Sequence, residues 1–214
     1  MTASRVAPGV AWPPARAYRV VKRGIDLAVA SAALVLLAPL LLALAVAIRA
    51  SSPGPAVFCQ PRAGRFGERF TMWKFRTMVL DAESRRSELI AHSRETTWLK
   101  LDQDPRVTGV GRLLRRTSLD ELPQLLNVVR GEMSLVGPRP LPLSEHAHLP
   151  TWSAPRLEVR PGLTGLWQVM GRTRISFQEM LRLDCEYVRE LSLWTDLKIL
   201  MRTVPAVLSG RGAN

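Results

Sequence analysis

Residues 27–48 read LAVASAALVLLAPLLLALAVAI, an uncharged run with one proline, Pro39, near its middle. As one straight helix the run would be roughly 33 Å long, enough to cross the hydrocarbon core of a bilayer. Its flanks argue against a crossing. Arg16, Arg19, Lys22 and Arg23 precede it, and Arg49, Arg62, Arg65 and Arg69 follow it. A spanning helix carries its Lys/Arg excess on the cytoplasmic side only. Pro39 lacks a backbone donor and clashes with the carbonyl of Val35, so a kink or break is expected there. The two halves, Leu27–Ala38 and Leu40–Ile48, would each be about 14–18 Å long. They then dip into one leaflet and return to the same face. Carbonyls freed at the break need a protein partner, because lipid supplies none. The reading is a re-entrant membrane helix-break-helix hairpin; a kinked single-pass anchor and a buried core helix are the alternatives. A signal peptide is disfavoured, because the run is too long and no small-residue cleavage site follows it.

Residues 1–17 are rich in Pro and Ala without periodicity and read as a disordered leader. Tyr18–Asp26 is basic and amphipathic and leads the hairpin in, so residues 18–50 form the membrane-associated unit. Lys22 and Arg23 are expected at head-group level, and Asp26 is expected to pair with one of them, since a lone carboxylate there is costly. Ser51-Ser52-Pro53-Gly54-Pro55 ends the hairpin. Residues 51–214 then make one cytosolic domain.

Within that domain, Ala56–Gln60 and Arg69–Met78 alternate around a turn at Gly64–Gly67, which predicts a short β-hairpin. Asp81–Arg94 is polar and helix-prone, and Val110–Arg116 is a short basic helix. Leu122, Leu125, Leu126 and Val129 fall at helical spacing before Gly131, a suitable stop. Ser134–Val136 reads as a strand and Pro155–Gly165 as a loop. Ser176–Glu190 and Leu193–Leu208 read as amphipathic helices. The last places Trp194, Leu197, Leu200 or Met201, Val204 and Leu208 on one face, expected to pack on the core rather than lie on the bilayer. The fold class is α+β, mostly helical: the hairpin, a small domain with amphipathic interfacial helices, and a short β-hairpin.

The 214 residues carry 30 Lys and Arg against 18 Asp and Glu, a net charge of +12. Such a surface suits anionic lipid, phosphate or nucleic acid. The apolar run and the lack of an aromatic stacking platform exclude nucleic acid as the expected partner. Cys59 and Cys185 lie far apart, which fits neither a disulfide framework nor a zinc site.

Asp120 and Glu121 are the candidate chemical pair. Pro123 confines the helix start to about Ser118–Asp120, because its missing N–H is harmless only in the first turn. Both carboxylates then sit at the positive end of a helix, where free N–H groups can hold phosphate. A bland reading competes: Ser118-Leu119-Asp120-Glu121 also fits a capping box, which needs no catalysis. Arg112, Arg115 and Arg116 precede the pair, and Arg139 stands between Pro138 and Pro140. Guanidinium groups grip phosphate bidentately, and carboxylates beside them suit a divalent cation such as Mg²⁺ or attack on phosphorus. His146 and His148 read as surface histidines. Walker, dinucleotide and hydrolase-elbow signatures are absent from the sequence.

Several stretches in order carry a resemblance. They are Lys22-Arg23-Gly24-Ile25-Asp26, Phe58–Arg62, Trp73-Lys74-Phe75-Arg76-Thr77-Met78, Ser118–Leu125, Ser134–Pro140 and Arg160–Gly165. Together they resemble the bacterial sugar transferases, the monotopic polyprenyl-phosphate phosphoglycosyl transferases, over about residues 19–214. The resemblance implies transfer of a hexose-1-phosphate from a UDP-sugar to undecaprenyl phosphate with release of UMP. This would be the first step of exopolysaccharide, capsule, O-antigen or glycoconjugate assembly. It implies Asp120 as the nucleophile that forms a phosphosugar–enzyme intermediate, Glu121 as the Mg²⁺ ligand, and Arg139 as a contact to phosphate or nucleotide. Lys74, Arg76, Gln60, Arg62, Arg115 and Arg160 are implied as supporting phosphate ligands. The implied location is the bacterial inner membrane, in one leaflet, with the catalytic domain facing the cytoplasm.

One departure touches the hairpin: some members have Ser-Pro at the break, where this chain has Ala38-Pro39. Members of the longer type carry extra amino-terminal membrane helices, so this chain is similar to the minimal catalytic unit. Gly165-Leu166-Trp167-Gln168-Val169, Gly171-Arg172 and the ending Arg211–Asn214 are more similar to hexose transferases than to those for N-acetylated sugars, which stay the alternative. A non-enzymatic basic membrane adaptor is the further alternative, and whether the chain forms a homodimer is left open.

Overall fold

The computed structural model describes residues 16–85, 89, 101, 104–171 and 175–208. Residues 1–15 of the leader, most of residues 81–94, Arg172 and the final residues 211–214 lie outside the described residues, whereas Arg16 and Ala17, read as the end of the leader, are helical.

Helix α1 runs from Arg16 to Ser51 with Pro39 inside it. The expected separation into two half-helices at Ala38 and Pro39 is corrected: both belong to one helical element. A proline removes one donor and crowds one carbonyl, and the ladder on either side can continue past it. By length and composition α1 can cross a membrane.

Both ends of α1 nevertheless rest on one folded body. Near the amino end, Lys22 meets Asp196 at 2.8 Å, and Arg23 donates to the Val128 and Val129 carbonyls at 2.6 and 2.8 Å. Buried Asp26 accepts from Ser134 Oγ at 2.7 Å and from the Leu135 N–H at 3.1 Å. The expected pairing of Asp26 with a neighbouring base is therefore replaced. Each base turns toward the folded body, Lys22 to a carboxylate and Arg23 to helix-end carbonyls. At the carboxyl end, Ile48 packs with Ala56, Phe75 and Leu114. Between the two ends, Val35 and Leu36 are 75% and 78% exposed.

Strands β1 (Val57–Ala63) and β2 (Arg69–Phe75) form the expected antiparallel hairpin, in register Val57↔Phe75. Phe70 and Met72 turn inward from β2 while Arg69 and Thr71 stay exposed. Among the described residues the outer edge of β2 has no third strand. Fully buried Asn127 serves it instead, accepting from Trp73 N at 3.1 Å and donating to the Thr71 carbonyl at 2.7 Å.

Helix α2 (Gly109–Thr117) is capped by Thr108, whose side chain accepts from Gly111 N. A 3-10 turn over Leu119–Gln124 leads into α3 (Leu125–Arg130), which stops at Gly131 with φ +83°. Strand β3 (Ser134–Val136) was expected, but its partner was not. It pairs in parallel with β4 (Gly162–Thr164), inside the stretch read as a loop. A Cβ on Gly137 would run into the Arg160 carbonyl, so the two segments approach this closely only because a glycine stands there.

Short helices α4 (Leu143–His146) and α5 (Leu166–Met170) follow, then α6 (Phe177–Arg189), capped by Ser176, and α7 (Leu193–Leu208). The main core joins Ala30 of α1, Phe70 and Met72 of β2, Leu125 and Val128 of α3, Leu135 and Val136 of β3, Tyr187 of α6 and Ile199 of α7. The face expected to bury from α7 does not: Trp194, Leu197, Met201 and Val204 are all exposed. The inward face instead carries Asp196, Ile199 and Thr203. It is turned in by Tyr187 and Lys22, which bond Asp196, and by Thr164, whose hydroxyl meets Thr203 at 2.8 Å.

Candidate active site

Asp120 and Glu121 lie in the first turn of the 3-10 segment after α2. Ser118 has φ +56° and its side chain makes no capping bond there. The capping box that offered the bland account of this pair is therefore not formed. Asp120 is buried, at 7% exposure. Glu121 lines a hollow together with Arg62, Met72, Lys74, Gln124, Arg139, Pro140, Gly162, Leu163 and Gln168. Strand β2 delivers Lys74, the segment after β3 delivers Arg139 and Pro140, and β4 forms the opposite wall.

Electrostatics tie the two carboxylates to the cations. Burial pushes the Asp120 carboxyl above its ordinary range, and the charges of Lys74, Arg115 and Arg139 pull it back. Burial likewise pushes the Lys74 ammonium down to about 8, with Asp120 opposing. Burial also lowers the Arg115 guanidinium, whose Nε donates to Thr77 Oγ1 at 2.9 Å. Two carboxylates of opposite disposition, one enclosed and one at the wall, thus face three cations.

Five of the expected residues line the hollow: Lys74, Arg62, Glu121, Arg139 and Pro140. Asp120 and Arg115 stand behind this wall, coupled to it through charge. Pro138 is fully buried and frames the turn. Arg62 also has a structural task, donating to the Pro140 carbonyl at 2.9 Å and to Gln60 Oε1 at 2.6 Å, which leaves Gln60 a supporting position.

Of the expected ligands outside the hollow, Arg76 and Arg160 are drawn to other partners. Arg76 donates to Ser52 O and Oγ at 2.8 and 2.9 Å and to the Pro53 carbonyl, so it fastens the exit of α1. Arg160 donates to the Gly131 carbonyl at 2.6 Å, beyond the end of α3. In both cases exposed carbonyls at a helix end attract a guanidinium.

Gln124 and Gln168 line the hollow without having been foreseen. Gln168 donates through Nε2 to Leu163 O at 2.9 Å, while its buried Oε1 has no partner among the described residues. The Arg139 guanidinium lies over the Trp167 ring, 4.7 Å from its centroid. Among the described residues there is no cluster of three or more His, Cys, Asp or Glu side chains. An all-protein metal cage is thus not offered. A site of one or two carboxylates completed by phosphate and water is offered, and that arrangement suits Mg²⁺.

A family model described as bacterial sugar transferase matches residues 17–210. The exopolysaccharide production protein ExoY of Rhizobium meliloti is 42% identical over 197 residues, covering 90% of this chain and 87% of that protein. The UDP-glucose:undecaprenyl-phosphate glucose-1-phosphate transferase of Caulobacter vibrioides is 44% identical over 197 residues, covering 88% and 70%. The galactosyl transferase CpsE of Streptococcus agalactiae is 46% identical over 162 residues, covering 75% of this chain but 36% of that protein. The chain therefore spans about a third of the streptococcal relative and most of the rhizobial one.

Proposed function

The chain belongs to the bacterial sugar transferase family, and from that premise we propose that it transfers a hexose-1-phosphate from a UDP-sugar to undecaprenyl phosphate, releasing UMP. The observation that carries this reading is the enclosed Asp120 carboxylate, influenced by Lys74, Arg115 and Arg139 and adjacent in sequence to Glu121, which lines the hollow together with Lys74 and Arg139. The Caulobacter relative, named for this reaction with glucose, supports the donor and acceptor classes.

In the first half-reaction an Asp120 carboxylate oxygen attacks the phosphorus that bears the sugar. The bond from that phosphorus to the bridging oxygen breaks, and UMP leaves with the electron pair. In the second, an oxygen of undecaprenyl phosphate attacks the same phosphorus and expels the Asp120 carboxylate. Splitting the transfer lets a water-soluble donor and a lipid acceptor use one site in turn. Enclosure raises the basicity of Asp120 and so its nucleophilicity, while Lys74, Arg62, Arg115 and Arg139 offset charge on the transferring phosphoryl group. Glu121 is the residue that would hold Mg²⁺, which when bound neutralises phosphate oxygens.

The site works at the bacterial inner membrane, on its cytoplasmic side, with α1 kinked at Pro39 so that it enters one leaflet and returns. The two ends of α1 rest on one body, which supports this topology over a crossing. Asp120→Asn should lower UMP release by at least 10³-fold while leaving folding and vesicle binding intact. Turnover within tenfold of the parent would remove the nucleophile assignment. A panel of UDP-hexoses and UDP-N-acetylhexosamines with undecaprenyl phosphate and Mg²⁺ identifies the donor.

A further inference from the structure

The segment Pro138-Arg139-Pro140 carries one backbone N–H, because neither proline has one. That N–H donates to both carboxylate oxygens of Asp184, at 3.4 and 3.3 Å. The Arg139 carbonyl accepts from Arg156 Nη2. Arg156 in turn donates to Asp184 Oδ2 through Nε at 3.1 Å and Nη2 at 2.8 Å. The two side chains are 2% and 1% exposed. One buried ion pair, joining α6 to the 3-10 segment Thr151–Leu157, therefore takes both polar backbone groups of Arg139.

A buried ion pair is weak evidence for stability, since apolar residues of similar volume often replace one without loss. Here both charged groups converge on a single residue whose side chain reaches the hollow. We propose that Asp184 and Arg156 are positioning residues for the transfer reaction: they fix the backbone of Arg139 so that its guanidinium, seated over Trp167, meets the donor's phosphates in one orientation. This rests on the reading of Arg139 as a phosphate contact. Neither residue touches the hollow; they act through Arg139 alone.

The test pairs Asp184→Leu with Arg156→Met in the full chain, so that no buried charge is left without its partner, in the parent and in an Arg139→Ala background. Melting temperature, donor KM and kcat, UDP affinity by calorimetry, and amide exchange of the peptide containing Arg139 are measured for each. In the parent background the apolar pair is expected to lower melting by several degrees, since it leaves the Arg139 N–H and carbonyl without these partners, to speed exchange at Arg139, and to weaken donor KM and UDP affinity about tenfold. In the Arg139→Ala background it should change neither constant further. Equal losses in both backgrounds, or unchanged exchange at Arg139, or an unchanged donor KM and UDP affinity in the parent background, would overturn the proposal. Because UDP affinity and exchange are read without turnover, a parent that binds UDP but transfers no sugar would sink the proposed reaction and leave this test standing. Should the double variant fail to fold, Arg156→Lys keeps the charge but loses the bridge to the Arg139 carbonyl. It should reproduce the loss in the parent background only, and equal loss in both backgrounds counts against the clamp.

Discussion

Lys74 gathers the competing forces of the site in one side chain. Enclosure pushes its ammonium down to about 8, while Asp120 pulls the other way. Below that value it is charged and can meet a phosphate; above it the neutral amine cannot. We therefore expect kcat/KM for the donor to fall on the alkaline side, about tenfold per pH unit beyond about 8. Lys74→Arg should remove that limb, because a guanidinium stays charged throughout the range. A limb that persists unchanged in the arginine variant would assign it to another group. Stability moves in the opposite sense. Between about 8 and the ordinary lysine value the unfolded chain holds more protons than the folded one, so this group's contribution to stability rises with pH. Gln168 offers a second reading at this scale. Its buried Oε1 lines the hollow without a partner among the described residues, and a donor hydroxyl or imide N–H would satisfy it. Gln168→Met should raise donor KM several-fold with kcat nearly unchanged, as expected for loss of a binding contact; a fall confined to kcat would contradict this.

Among the elements, α1 is held by side chains that the sequence shows plainly but whose partners it conceals. Asp26 is the sharpest case, with two acceptor oxygens committed to the Ser134 hydroxyl and the Leu135 N–H. Asp26→Leu leaves that N–H and hydroxyl buried without an acceptor, so a loss of about 1–3 kcal/mol in unfolding is expected. Asp26→Asn, which still offers one oxygen, should cost less. Denaturant titration in detergent checks the order, and equal losses would show that packing rather than hydrogen bonding governs this contact. The alternation of Arg69–Met78, the amphipathic pattern of Ser176–Glu190 and the stop at Gly131 made the β-hairpin, α6 and the end of α3 legible, because each signal is local. Strand β4 was not legible: three residues bounded by glycine and proline give no periodicity, and the pairing depends on Gly137 lying far away in sequence. The inward face of α7 was misjudged for a related reason. Periodicity finds the most apolar face, whereas burial followed Asp196 and Thr203 to their polar partners. The Asp120-Glu121 pair and Arg139 could be nominated from the chain. The loss of Arg76 and Arg160 to helix-end carbonyls could not be foreseen, because every arginine looks equally available in a linear sequence.

At the scale of the whole molecule the question is how a charged body meets a bilayer. Lys22, Arg23 and Asp26 tie the amino half of α1 to the body that also receives Ile48 and, through Arg76, Ser52. A helix crossing the hydrocarbon core must place its ends on opposite sides of roughly 30 Å of lipid, which one body on one side cannot touch simultaneously. The most exposed apolar side chains of α1, Val35 and Leu36, lie midway between those attachments, close to Pro39. The exposed face of α7 adds Trp194, Leu197, Met201 and Val204, with Lys198 close to the Trp194 ring at 5.5 Å. A tryptophan beside a lysine suits the interface rather than the hydrocarbon. On the proposed topology the expected depth order is Leu36 deepest, Trp194 at head-group level, and Ser52 outside. Single fluorophores at Leu36 and Ser52, introduced through cysteine in a Cys59→Ser background and reconstituted with lipids brominated at different depths, would read it. Leu36 should be quenched most by bromines deep in the acyl chains and Ser52 scarcely at all. Tags at residues 1 and 214 should both be protected from protease in right-side-out vesicles. Protection of only one tag, or quenching of Leu36 from both leaflets with equal depth, would make α1 a crossing helix. The Lys22, Asp26 and Arg76 contacts could not then all hold in the membrane-bound protein.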